Sequence, residues 1–133
     1  MNARDLMIGD LVKHRGKIKK IVYINDRIDH TEHHNNEIAF TSDEDEWINA
    51  GWAEPIPITA EILEKNGFEY DEVDGWEFVG KDYEPLISCV LEECYVMIDS
   101  RGLEAELRIQ YVHEIQHAFR LCGLNELADN FKI

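Results

Sequence analysis

Positive charge is scarce in this chain: thirteen Lys and Arg stand against twenty-eight Asp and Glu, for a formal net charge of −15. A surface of that sign repels phosphate backbones and anionic membranes at long range, so direct nucleic-acid binding is disfavoured. Cysteine is confined to Cys89, Cys94 and Cys122, an odd number with no C-x-x-C pair. The thiols therefore read as reduced core residues rather than a stapled framework. No apolar run approaches the ~18–20 residues needed to span a bilayer, and no apolar segment follows Met1-Asn2-Ala3-Arg4-Asp5 as it would in a signal peptide. The expected location is the cytoplasm, with no membrane partner.

What remains is an ordinary globular composition, 44% hydrophobic and 31% charged, in 133 residues. A chain of that length buries roughly two-thirds of the surface it exposes when unfolded, enough for a core without metal or disulfide support. No internal repeat, low-complexity tract or flexible linker interrupts it. The expectation is a single compact domain over 1–133, with a β-rich half at 1–55 and an α+β half at 56–133 that share one core or pack closely.

Met7 to Val12, the basic turn at Arg15-Gly16-Lys17, and Ile18, Ile21, Tyr23 and Ile24 read as a hairpin. A polar loop from Asp26 to Asn36 precedes a third strand over Glu37 to Thr41. The acidic run Asp43 to Glu46, a solvated loop, precedes a fourth segment at Trp47 to Trp52. Pro55 and Pro57 close this region. Thr59 is placed as N-cap of a short helix from Ala60 to Asn66, with Gly67 in the left-handed position and Phe68 folding back toward Leu63. Strands follow at Gly75 to Val79, Leu86 to Leu91 and Tyr95 to Ile98. Leu103, Ala105, Leu107 and Ile109 then alternate with polar residues, a period of two that marks a half-buried strand. The last helix starts near Tyr111, with Ile115, Ala118 and Cys122 on its core face and Gly123 as its stop, and Leu124 to Phe131 adds a short helical turn. The fold class is α+β: an N-terminal bent antiparallel sheet or small β-barrel, a short central helix, further antiparallel strands and a C-terminal amphipathic helix.

One motif carries chemistry. His113-Glu114-Ile115-Gln116-His117 matches H-E-x-x-H, in which two imidazoles four residues apart bind Zn²⁺ and the intervening Glu activates a water. A catalytic zinc needs a third protein ligand. The extended motif would require Gly at position 120 and His at position 123, where Arg120 and Gly123 stand, and Glu126 lies too near to return on a later helix. The helical wheel places His113 and His117 on the solvated side. A rescue would bring the ligand-rich loop Asp29-His30-Thr31-Glu32-His33-His34 beside them. The preferred reading assigns no catalytic, cofactor or metal residues. Its alternative is a zinc hydrolase with His113 and His117 as ligands and Glu114 as base.

Other candidates are weaker. Trp47, Trp52, Tyr70 and Trp76 either line a recognition groove or fill the core, and strand placement favours the core. Cys89 and Cys94 have no basic neighbour that would activate a thiolate.

Three segments, Ile8-Gly9-Asp10-Leu11-Val12, Pro55 to Phe68 and Tyr111 to His117, together resemble a group of small uncharacterised proteins from bacteriophages and integrated mobile elements of Bacteroides-type gut bacteria. The resemblance spans most of the chain. It implies that the Tyr-Val-His-x-x-Gln opening of the last helix is shared while the second His and Glu114 vary, which weighs against a zinc enzyme. It transfers no activity. The function expected is that of a non-enzymatic phage or mobile-element accessory protein acting on an unidentified protein partner, with a homodimer possible. A second alternative is an acidic mimic of DNA that occupies a basic groove.

Overall fold

The structure, a computed structural model, describes residues 1–25, 36–40, 47–73, 75–81, 84–100 and 102–133. The expected loop His30 to His34, the acidic run Asp43 to Glu46 and Thr41 lie outside the described residues. The chain divides into two compact units, Met1–Ile56 and Pro57–Ile133.

In the first unit, a short 3₁₀ turn at Ala3–Asp5 leads to β1 (Leu11–His14), β2 (Lys17–Asn25), β3 (Glu37–Phe40) and β4 (Ile48–Asn49), an antiparallel sheet in chain order. The first hairpin turns through Arg15 and Gly16, both at positive φ (51° and 75°), the conformation that a two-residue turn between twisted strands demands. A register shift between Ile21 and Tyr23 bends β2, so its first half pairs with β1 and its second with β3. After β4, a 3₁₀ turn at Ala50–Trp52 returns the chain to the outer edge of β1. There Lys13 and Glu54 exchange backbone hydrogen bonds of 2.9 and 2.7 Å. The sheet thereby curls toward a small barrel around Val12, Ile21, Ile38, Phe40 and Ile48.

The second unit begins with α1 (Ala60–Lys65), whose first turn is capped by the Thr59 hydroxyl accepting from the Ile62 N–H at 3.2 Å. Gly67, at φ 90°, ends it. The Phe68 N–H donates to the Leu63 carbonyl and the Gly67 N–H to that of Glu64, the paired bonds of a Schellman ending. A five-stranded antiparallel meander follows: β5 (Glu69–Asp71), β6 (Gly75–Val79), β7 (Leu86–Val90), β8 (Tyr95–Ser100) and β9 (Leu103–Arg108). β5 is unanticipated by the sequence reading, because its three residues are all exposed and show no apolar alternation. Along β7 and β8, Ile87, Cys89, Val96 and Ile98 point inward and are buried.

Two C-terminal helices, α2 (Val112–Leu121) and α3 (Asn125–Asp129), complete the unit. The rings of Phe68, Phe78 and Phe119 lie mutually 5.2–6.0 Å apart, and Phe131 sits 6.0 Å from Phe119. This aromatic cluster joins the end of α1, strand β6, helix α2 and the C-terminal segment into one core. Thus the fold is α+β as expected, with a curled four-stranded antiparallel half-barrel, a short helix, a five-stranded antiparallel sheet and C-terminal helices.

Candidate functional site: the first turn of the C-terminal helix

The H-E-x-x-H residues occupy the opening of α2, not its middle. Tyr111 is the N-cap, so Glu114 stands at the third helical position, where helices need an acceptor for the unmet N–H groups ahead of them. Its carboxylate supplies one: Oε1 accepts from the backbone N–H of Tyr111 and of Gln110, each at 3.0 Å. A general base must direct its lone pairs at a metal-bound water. Here the oxygen is committed to the backbone that starts the helix.

The histidines depart from the helical-wheel expectation. His113 is only 7% exposed and His117 is half-buried, so neither projects from a solvated face. The His113 ring stacks on Tyr111 at 6.0 Å and meets His117 edge-on at 5.6 Å. The wheel assumed a single covering layer, whereas α3 adds a second. Gln116, fully buried, donates from Nε2 to the Ala128 carbonyl at 2.9 Å, and Phe119 packs on Phe131. Val112, Ile115, Ala118 and Phe119 are buried, Phe119 against Phe78 of the sheet, while Gln116 meets α3, so burial wraps most of the helix.

A catalytic zinc requires three convergent protein ligands. Among the described residues no three His, Cys, Asp or Glu side chains converge in a way that could hold a metal ion. The ligand-rich loop from Asp29 to His34 lies outside the described residues. The donor set at α2 does not fit a hydrolytic zinc: one buried imidazole, one half-buried imidazole and a carboxylate engaged by two peptide N–H groups.

The other signature segments are likewise occupied in building the fold. Met7 to Asp10 form a turn in which the Asp10 N–H donates to the Met7 carbonyl at 3.1 Å and Gly9 adopts φ 95°, the positive value a type II turn needs at its third residue. The buried Asp10 carboxylate accepts from the Met7 N–H at 2.8 Å. Pro57 forms an antiparallel bridge to Tyr111, and the Ile58 N–H donates to the Gln110 carbonyl at 3.1 Å. The second and third signatures therefore meet, and that bridge seats the start of α2. Asn66 holds the chain end: its side chain donates to the Lys132 carbonyl at 2.7 Å and accepts from the Lys132 N–H at 2.8 Å.

The aromatic residues expected in the core are largely on the surface. Trp52 is 68% exposed, Tyr70 64% and Trp47 45%, while Trp76 is half-buried. Trp47 leans on Tyr23 at 5.9 Å and Tyr70 on Trp76 at 5.4 Å. Tyr70 and Trp76 are direct cross-strand partners, which holds both rings without burying them. Trp47 precedes the two-residue strand β4, Trp52 lies in a 3₁₀ turn and Tyr70 in the three-residue β5, and elements this short have few neighbours to cover a large ring, which explains the miss.

Two of the thiols are held in their neutral form. Burial first, and the nearby Cys94 second, push the Cys89 thiol up to about 11, and burial also raises Cys122. All three cysteines are free; Cys89 is buried, whereas Cys94 and Cys122 are only half-buried, so the expected core placement holds for one of them. No helix among the described residues is long and apolar enough to cross a membrane. Set against known proteins, the chain matches no family model, no curated protein and no solved structure.

Proposed function

We propose that the chain is a non-enzymatic accessory protein of a phage or mobile element, working in the cytoplasm through contacts with another protein. The observation that carries this reading is the exposure of large aromatic rings in both units, above all Trp52 and Tyr70. Large aromatic rings left uncovered in this way are the side chains that most often anchor interfaces. The resemblance of the three signature segments to mobile-element proteins is consistent with it, and those segments serve turns, caps and bridges in this chain. Glu114 bonding the backbone at the helix start weighs against hydrolysis.

A photo-crosslinking amino acid placed at Trp52 or Tyr70, in protein expressed in a Bacteroides-type host, should give a discrete adduct with a partner. The same label at the exposed Glu64 of α1 should not. Adducts equally frequent at all three positions, or at none, would overturn the reading. Elemental mass spectrometry of tag-free protein supplies the opposing check: near-stoichiometric zinc that disappears in a His113→Ala, His117→Ala variant would revive the hydrolase.

A further inference from the structure

The five-stranded sheet has two faces, and only the inner one carries the aromatic core. Strand register defines the outer face row by row. Glu69, Glu77, Ser88, Met97 and Glu106 form one row across all five strands. Val79, Leu86, Asp99 and Glu104 form the next, and Tyr95 faces Arg108 in a third that also includes Val90. Asp71 belongs to the same face at the β5 edge, because it shares the parity of Glu69. Among the described residues, six carboxylates and one guanidinium therefore share this surface.

It is not flat. A groove of about 320 Å³ runs over it, floored by Leu86, Val90 and Met97 and flanked by Glu77, Asp99 and Glu104. Met97 is 51% exposed on this floor. Asp99 and Glu104 are direct cross-strand partners, and both are exposed. Like charges placed opposite each other on neighbouring strands disfavour the sheet that holds them. A cation seated between the two carboxylates would relieve that repulsion, and the adjoining apolar floor would take the stem of a long side chain or a neighbouring aliphatic residue.

We propose that this outer groove binds a cationic segment of the partner protein, one in which Lys or Arg residues are interleaved with apolar ones. The proposal rests on the reading of the chain as a protein-binding module and specifies the chemistry of the partner. The net charge of −15 favours the same occupant, since it steers cationic partners inward and opposes the approach of a second acidic copy.

The test uses the full chain and two short fluorescent peptides, one alternating lysine with valine and one alternating glutamate with valine. Fluorescence anisotropy should show binding of the first, weakened by added salt, and none of the second. An Asp99→Asn, Glu104→Gln double variant should weaken binding roughly fivefold, in line with two partly exposed ion pairs. A Glu61→Gln, Glu64→Gln variant, which removes the same charge from α1, should leave it within about twofold. Chemical-shift changes should centre on Ser88, Tyr95 and Met97.

Equal losses in both double variants would show attraction to the whole acidic surface and overturn the groove. So would shifts centred elsewhere, or no binding. A dimer dissociated by the Asp99→Asn, Glu104→Gln change would replace the cationic partner with the basic Lys13–Lys20 hairpin of a second copy. If the groove fails while Trp52 or Tyr70 still gives a specific adduct, only this inference falls; if both fail, the protein-contact reading falls with it.

Discussion

At Glu114 one carboxylate could serve two incompatible tasks, activating a water or starting a helix, and its position decides between them. Three residues past the N-cap, it accepts from two peptide N–H groups that would otherwise be unmet. Glu114→Ala should therefore cost about 1–2 kcal/mol of stability, read as a shift in the urea midpoint without a change in slope. A variant as stable as the parent would show that the carboxylate is not needed there. Cys89 allows a second test at this scale. Its folded value of about 11 lies above its ordinary 9.0, because burial favours the neutral thiol. Its contribution to stability is thus complete below about pH 9 and is lost as pH rises toward 11. Across that interval stability should fall less steeply in Cys89→Ala than in the parent, and parallel curves would refute the assignment. Neither role is visible in residue type alone: a Glu in a metal-binding pattern and a Glu in a capping box are the same letter.

Among the elements, α1 was the most legible, because its stop and start depend on neighbours in sequence. Thr59 caps, Gly67 takes φ 90°, and Phe68 bonds back to Leu63 with no help from distant residues. Gly67→Ala should cost about 1 kcal/mol by forcing a side chain into the left-handed region, with Phe78 only 3.4 Å from the new methyl. Thermal unfolding measures this, and an unchanged midpoint would contradict the strain. Helix α2 was read correctly in extent and in its core face, where Ile115 and Ala118 are buried, but not in how far burial spreads around it. Its wheel shows one apolar stripe, but the cover supplied by α3 buries Gln116 as well, through a bond to the Ala128 carbonyl. Gln116→Leu keeps the volume but removes a buried bond to a carbonyl that otherwise accepts only from the backbone at the end of α3, so it should destabilise by about 1 kcal/mol. A stabilising effect would mean that the bond is dispensable.

At the scale of the whole molecule, charge dominates what can be predicted. With a net charge of −15 the folded chain repels itself, so screening should stabilise it. The midpoint of thermal unfolding should rise as sodium chloride increases from low ionic strength toward about 0.5 M, where the Debye length has shrunk to a few ångströms. A falling midpoint would instead imply that ion pairs such as Lys65–Glu61 and Arg120–Asp129 govern stability. The same excess of carboxylates is unevenly placed on the second unit, six of them on one sheet face.

The amino-acid sequence by itself determined the α+β class, the first hairpin, the capped α1, the strand at Gly75 to Val79 and the alternation that becomes β9. Each depends on turn chemistry or on a period of two within a few residues, so a local reading suffices. Only the tertiary structure decided the rest: that Trp52 and Tyr70 stand in solvent, that His113 is buried, that Glu114 bonds the backbone, and that acidic residues from four strands share a face. These outcomes depend on which distant segments come to lie over a side chain, and strand register and helix cover are set by packing across the chain.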